Sequence, residues 1–234
     1  MKKTLILILV FSIGLLSAQN NELSVDANGN FRQLQMMKAN NGVAVGGVSF
    51  NNPQKEIKGS VYLFDNWKNN CVIHLKDTKQ KYLIRNININ IQRNTFESQI
   101  SQDSIYTFNP NSINKFVIND VIYKNIYSND GKKIYMVIYE SDEFTILEGY
   151  SVSMATGSPN PMINRSNDKF IRNSSYYVKT ENSVEPFKLK KSKVMNLLSD
   201  NPEKAAKVEK FINDNSLSYK KAKDLTMALK YSDI

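Results

Sequence analysis

The stretch Asn86-Ile87-Asn88-Ile89-Asn90-Ile91 alternates polar and apolar residues at every step. An extended chain throws successive side chains to opposite faces, so the run sets three isoleucines on one face and three asparagines on the other. A helix would scatter the same residues around its circumference. These six residues define a strand. Working outward, apolar-rich runs of strand length recur before it at 61–64, 71–76 and 82–85. They recur after it at 96–100, 105–108, 116–118, 121–127, 134–139, 144–152 and 175–179. Turn-forming pairs separate them, namely Asp65-Asn66, Asn109-Pro110-Asn111, Asn119-Asp120 and Asn129-Asp130-Gly131. Short strands at this spacing, with no helical pattern of 10–15 residues between them, predict a mainly β protein. The expected form is a curved antiparallel meander, either a sandwich or a half-barrel.

Beyond Leu189 the period changes from two to about 3.6. Val194, Leu197 and Leu198 make one apolar face, Ala205, Val208, Phe211 and Ile212 a second, and Ala222, Leu225 and Leu229 a third. Asn201-Pro202 is a helix start, because Asn caps and proline suits the first helical position. Ser218 is the expected cap of the last helix. Two or three short C-terminal helices follow, each too short to be stable alone, so they must pack on one another or on the β domain.

The first eighteen residues read as a signal peptide. Lys2 and Lys3 precede an apolar stretch from Leu5 to Leu16, and Ser17-Ala18-Gln19 offers a cleavage point. Twelve residues fall short of the roughly 20 that a membrane span needs, and no transmembrane span is expected elsewhere. The chain therefore divides into a signal peptide at 1–18, a polar segment at 19–55 with a hairpin near Asn28-Gly29, an antiparallel β domain at 56–189, and a basic helical tail at 190–234. Export to the periplasm or the outer membrane, or secretion, is the expected fate.

One histidine and one cysteine in 234 residues constrain the chemistry. No disulfide can form within the chain, and no zinc site of several Cys and His ligands. Cys71 lies on a strand face with Ile73 and is expected to be a buried, reduced thiol, with His74 on the opposite face. No glycine-rich phosphate loop, dinucleotide fingerprint or Gly-x-Ser-x-Gly elbow occurs. No cofactor and no metal are expected. Acid–base chemistry, if any, falls to carboxylates. Glu140, Asp142 and Glu143 flank a turn, and Glu148 lies on the next strand.

Aromatic side chains are the other candidates, since exposed rings stack on sugars. Tyr62 and Trp67 cluster around Asp65, Tyr176-Tyr177 lie near the end of the sheet, and Arg165 sits in the irregular loop 156–168. These five are the candidate ligand-binding residues. Three functions follow. The first is a non-catalytic exported protein that binds another envelope component. The second is a carbohydrate-active enzyme or carbohydrate-binding module, and the third a carrier of small lipids or lipoproteins.

The Ser-Ala-Gln signal end, the Gly59-Ser60-Val61-Tyr62-Leu63-Phe64 run leading to Trp67, and Asn88 to Asn90 followed by Phe96 go together with Tyr176-Tyr177 and the Lys-rich tail. In these features the chain resembles a group of uncharacterised exported proteins of flavobacteria and related Bacteroidetes. The resemblance implies compartment and architecture, and it transfers no catalytic residue. Asp103-Ser104-Ile105 likewise resembles the Asp-Ser/Thr-aliphatic acceptor of periplasmic O-glycosylation in that group, which makes Ser104 a candidate acceptor.

The formal charge of +9 is unevenly placed. Residues 188–234 hold 11 Lys and no Arg against 6 Asp+Glu, a local +5. Export removes nucleic acid as a partner, and Lys without Arg fits specific phosphate recognition poorly. The tail is expected to meet an envelope protein, a glycan or an anionic lipid surface.

Overall fold

The computed structural model describes residues 49–50, 57–76, 78–128, 131–156, 168–181 and 183–233. The signal segment, the hairpin near Asn28-Gly29 and Arg165 lie outside the described residues. The strands are β1 (Ser49–Phe50), β2 (Asn70–Leu75), β3 (Lys81–Arg85), β4 (Ile87–Asn90), β5 (Thr95–Ser101) and β6 (Ser104–Thr107). A 3-10 turn at Pro110–Ser112 leads into β7 (Ile113–Ile118), β8 (Val121–Ser128), β9 (Gly131–Glu140), β10 (Thr145–Ala155), β11 (Lys169–Lys179) and β12 (Val184–Phe187). Helices α1 (Lys191–Leu197), α2 (Pro202–Asp214) and α3 (Ala222–Ser232) follow.

The strands form two antiparallel sheets. One has eight strands in the order β12-β11-β10-β9-β8-β7-β2-β3, and the other has four in the order β1-β6-β5-β4. The large sheet is open, with β12 and β3 at its edges. After β3 the chain leaves it, builds β4 to β6, and returns as β7 beside β2. The expected mainly β meander with a helical tail is thus the observed fold.

Asparagine makes the sharp corners. Asn86, Asn94, Asn119 and Asp120 all have positive φ (55°, 55°, 48° and 67°), a region these short polar side chains tolerate better than most. Asn119-Asp120 forms the two-residue hairpin between Ile118 and Val121. Asn86 swings the chain from the large sheet into the small one.

The alternating run is shorter than expected, since only Ile87–Asn90 is strand. All four of its residues are buried. Ile87 and Ile89 join the core between the sheets. Asn88 grips the neighbouring segment, donating through Nδ2 to the carbonyls of Phe64 (2.9 Å) and Asn66 (3.2 Å) and accepting through Oδ1 from the Phe64 amide (3.0 Å). This corrects the strand expected at 61–64. That segment is irregular, with one bridge between Tyr62 and Asn90 and two backbone bonds to β4 and the residue that follows it, from the Leu63 amide to the Ile89 carbonyl and from the Ile91 amide to the Val61 carbonyl. Side chains take the groups that would extend the ladder, since Asn88 Oδ1 accepts from the Ile89 amide and Arg172 donates to the Leu63 carbonyl.

Two cores lie on one face of the large sheet. The first fills the space beneath the small sheet, where Phe96 stacks on Phe116 at 3.5 Å and Phe108 meets Phe116 edge-on. Cys71 is fully buried there, and burial pushes its thiol pKa up. The second lies beneath the helices. Val194, Leu198, Val208, Ile212, Leu225, Ala228 and Leu229 cover Tyr139, Phe144, Ile146 and Phe187. The tail packs both on itself and on the sheet.

Polar bonds lock it down. Lys204 pairs with Asp233 at 2.7 Å, both contact the Tyr139 hydroxyl, and the Thr226 hydroxyl donates to the Ile138 carbonyl. Asn201 caps α2 as expected, accepting from the Lys204 amide. Ser218 does not cap α3. The cap position is Lys221, and the Asp224 carboxylate reaches back to the Ser218 amide instead (3.0 Å), a favourable place for a negative charge in the first turn.

Candidate functional site at the seam between two cores

The register of the large sheet aligns one rung across all eight strands: Tyr82, Ile73, Phe116, Tyr123, Met136, Glu148, Tyr176 and Phe187. Adjacent members stand about 4.8 Å apart in the hydrogen-bonding direction. Seven of the eight are apolar or aromatic, and Glu148 is the only acid. Its position is not arbitrary. Tyr82 through Met136 belong to the core under the small sheet, and Tyr176 and Phe187 to the core under the helices. Glu148 stands on the rung between the members of the two cores, at the seam between them, and it stays partly solvated there.

Tyrosines surround the carboxylate. Tyr176 is the next rung member, Tyr123 lies two strands away, and Tyr150 sits two residues along β10 on the same face. Burial raises the phenol pKa of all three, and the negative charge of Glu148 raises each further. The Tyr150 hydroxyl reaches both Glu148 and the Met136 sulfur, the latter at 3.4 Å. Among the described residues no Lys or Arg forms an ion pair with Glu148.

The four candidate residues that lie within the described residues form no single site. Tyr176 lines the seam. Tyr177 points to the opposite face and packs edge-on against Tyr135 at 5.3 Å, because consecutive strand residues alternate. Tyr62 is 8% exposed, and its hydroxyl donates to Glu97 at 2.8 Å. Trp67 lies edge-on to Tyr62 at 4.7 Å. Ser104 begins β6 just after the exposed tip Gln102-Asp103 of the β5–β6 hairpin.

Two acids, Glu97 and Glu148, stand among the apolar and aromatic residues of the strands. Glu97 is fully buried and binds Tyr62, Arg93 (2.9 Å) and Thr95 (2.5 Å). This cluster ties the segment before β2 to the small sheet. Arg172 completes the tie from β11, donating to the Tyr62 and Leu63 carbonyls and pairing with Asp65. For Glu148 the signal was present, since Ile146, Glu148 and Tyr150 share one strand face and an acid between two large apolar residues breaks the pattern.

A cleft of about 590 Å³ at the β2–β3 end is lined by Leu75, Lys76, Thr78, Lys79 and Asn114. A smaller one of about 300 Å³ between α2 and α3 is lined by Asn201, Glu203, Lys204, Lys207, Ser232 and Asp233. Among the described residues no group of three His, Cys, Asp or Glu could hold a metal ion, and no helix is long and apolar enough to cross a membrane.

The fold and seam define an open antiparallel β protein with a small sheet and a helical tail packed side by side on one face. No family model, curated protein or solved structure matches the chain.

Proposed function

We propose that this is an exported, non-catalytic envelope protein that docks through its helical tail onto an anionic lipid surface. The outward face of α3 carries the reading. Lys223, Met227, Lys230 and Tyr231 fall at i, i+4, i+7 and i+8 and are all exposed, Met227 at 41% and Tyr231 at 51%. Phe211 of α2 stacks on Tyr231 at 4.4 Å and extends the apolar strip. Eight tail lysines (Lys188, Lys190, Lys193, Lys210, Lys220, Lys221, Lys223 and Lys230) are exposed and form no ion pair among the described residues.

The tail acids are largely engaged. Glu203 pairs with Lys207, Glu209 with Lys191 and Asp233 with Lys204, and Asp224 holds the Ser218 amide. The positive charge is therefore left facing outward. Apolar side chains flanked by lysines suit an interface of acidic headgroups over acyl chains. The amino-terminal signal segment is what supports export.

Co-sedimentation with vesicles of phosphatidylcholine, with and without phosphatidylglycerol, tests the proposal. Binding is expected only to the anionic vesicles, falling as salt rises and lost in the K223E/K230E double variant. Equal binding to neutral vesicles, or none to either, would overturn it.

A further inference from the structure

We infer that the outer edge of β3 is a docking site for an extended acidic segment of another protein, which adds to the large sheet as a ninth strand. The inference is independent of tail docking. β3 ends the eight-stranded sheet and pairs on one side only, with β2. The bonding direction of each residue is fixed by its neighbours. Asn70 turns both backbone groups toward β7, its amide to Asn119 Oδ1 (3.2 Å) and its carbonyl to the Asn119 amide (3.0 Å). The Leu75 amide points the other way, to the Gln80 carbonyl just before β3. Bonding directions alternate along a strand. Cys71 and Ile73 therefore bond to Ile84 and Tyr82, and Lys81, Leu83 and Arg85 turn their backbone groups outward. The Arg85 carbonyl accepts there from Ser98 Oγ at 3.0 Å. Among the described residues no strand pairs with the outer side of Lys81 and Leu83. An edge of this kind is a template for a further strand. The opposite edge, β12, is interrupted by Pro186, which has no amide to donate.

The side chains state what the added strand must carry. Tyr82 and Ile84 face the core under the small sheet, so Lys81, Leu83 and Arg85 share the opposite face. Lys81 and Arg85 are exposed there, with Leu83 half-buried between them. Leu83 begins an apolar rung that continues through Val72 and Val117 to Ile122. Lys81 begins a basic one that continues through His74 to Lys115. A strand laid against β3 thus meets a cation, an apolar side chain and a second cation at alternate positions. An acid–x–apolar–x–acid pattern complements all three. A second copy does not. Antiparallel pairing of two β3 strands about Leu83 would set Lys81 of one copy opposite Arg85 of the other, at both ends of the pair. The charges that guard the edge against self-association are the ones that select an acidic strand.

The test is fluorescence anisotropy of a fluorescein-labelled Ser-Glu-Thr-Val-Thr-Glu-Ser peptide titrated with the full chain. Saturable binding is expected, weakening as salt rises, with slowed amide exchange at Lys81 and Leu83 by nuclear magnetic resonance. Lys81→Glu should weaken binding roughly threefold or more. Leu83→Pro removes an outward amide and leaves the bonds to β2, and should weaken binding roughly tenfold or more. Should Leu83→Pro lose its native circular dichroism, the same peptide with proline in place of valine removes a ladder bond from the other side and should bind as weakly. A peptide with lysine in place of both glutamates should not bind. No saturable binding of the acidic peptide, equal affinity for the lysine peptide, unchanged affinity in Lys81→Glu, exchange slowed elsewhere than β3, or a dimer in sedimentation that Leu83→Pro disrupts would overturn the inference.

Discussion

Glu148 on β10 stands directly opposite Tyr176 on β11, one register step away and on the same face of the sheet. The pair bridges the edge of one core and the edge of the other. Its electrostatic consequence can be measured. Replacing Glu148 by Gln removes the charge that raises the phenol pKa values of Tyr123, Tyr150 and Tyr176. The last part of the ultraviolet tyrosinate titration should therefore fall at lower pH in the variant than in the wild type, with its onset, set by exposed phenols such as Tyr127, unchanged. Raised phenol values favour the folded state below the ordinary value of 10.0, and that contribution is lost as pH rises through the folded values. Alkaline unfolding should follow tyrosinate formation.

His74 gives a prediction of the opposite sense. It lies on a rung between Lys81 and Lys115. Burial, then Lys115 and Lys81, lower its pKa from 6.5. A depressed imidazole leaves stability intact above pH 6.5 and erodes it as pH falls through the folded value, because the unfolded chain takes the proton more readily. His74→Gln should lose less stability than wild type between pH 7.5 and 5, as measured by urea unfolding. As the chain holds a single histidine, its proton resonance reports the titration directly.

Removing Glu97 should be costly. Glu97→Ala leaves the Tyr62 and Thr95 hydroxyls without their acceptor and Arg93 without its counter-charge. A loss of about 2–4 kcal/mol is expected from denaturant unfolding. Proteolytic cleavage near 61–67 should accelerate with it, since that segment is held by few backbone bonds. If stability is unchanged, the cluster does not hold the segment.

Gly149 is required by close packing on the other face of the sheet. A methyl group there would come within 2.9 Å of the Tyr135 and Tyr177 rings, which meet edge-on with the Lys133 ammonium 5.9 and 5.6 Å from their centroids. Gly149→Ala should cost about 1–3 kcal/mol, and the same substitution should cost less in a Tyr177→Ala background, where one of the two rings it meets is gone. Thermal unfolding of the single and double variants measures both.

Most strands were legible because their alternation and turns are local properties. Three departures show where that legibility ends. Strand β11 begins at Lys169, ahead of the expected 175, because exposed Arg172, Asn173 and Ser174 hide the period. Strand β12 was not anticipated, since Pro186 sits inside it. An edge strand tolerates proline, as its outer side needs no amide donor. The strand expected at 61–64 is cut short because Asn88 takes the Ile89 amide and Arg172, 109 residues away, takes the Leu63 carbonyl.

The candidate site followed the same division. In the linear chain Tyr176 stands out for its ring and Glu148 only as an acid on the strand after a turn. Their adjacency depends on the β10–β11 register, and the aromatic pair Tyr176-Tyr177 separates onto two faces for the same reason.

Hydrophobic periodicity and turn chemistry are set by neighbours within a few residues, so the linear chain was enough for the β class, the helical tail and the buried thiol. Where the asparagine face of β4 would be covered, and where one glutamate would meet three tyrosines, depended on non-local pairing. Only the tertiary fold sets two cores beside each other on one sheet and places a carboxylate on the rung between them.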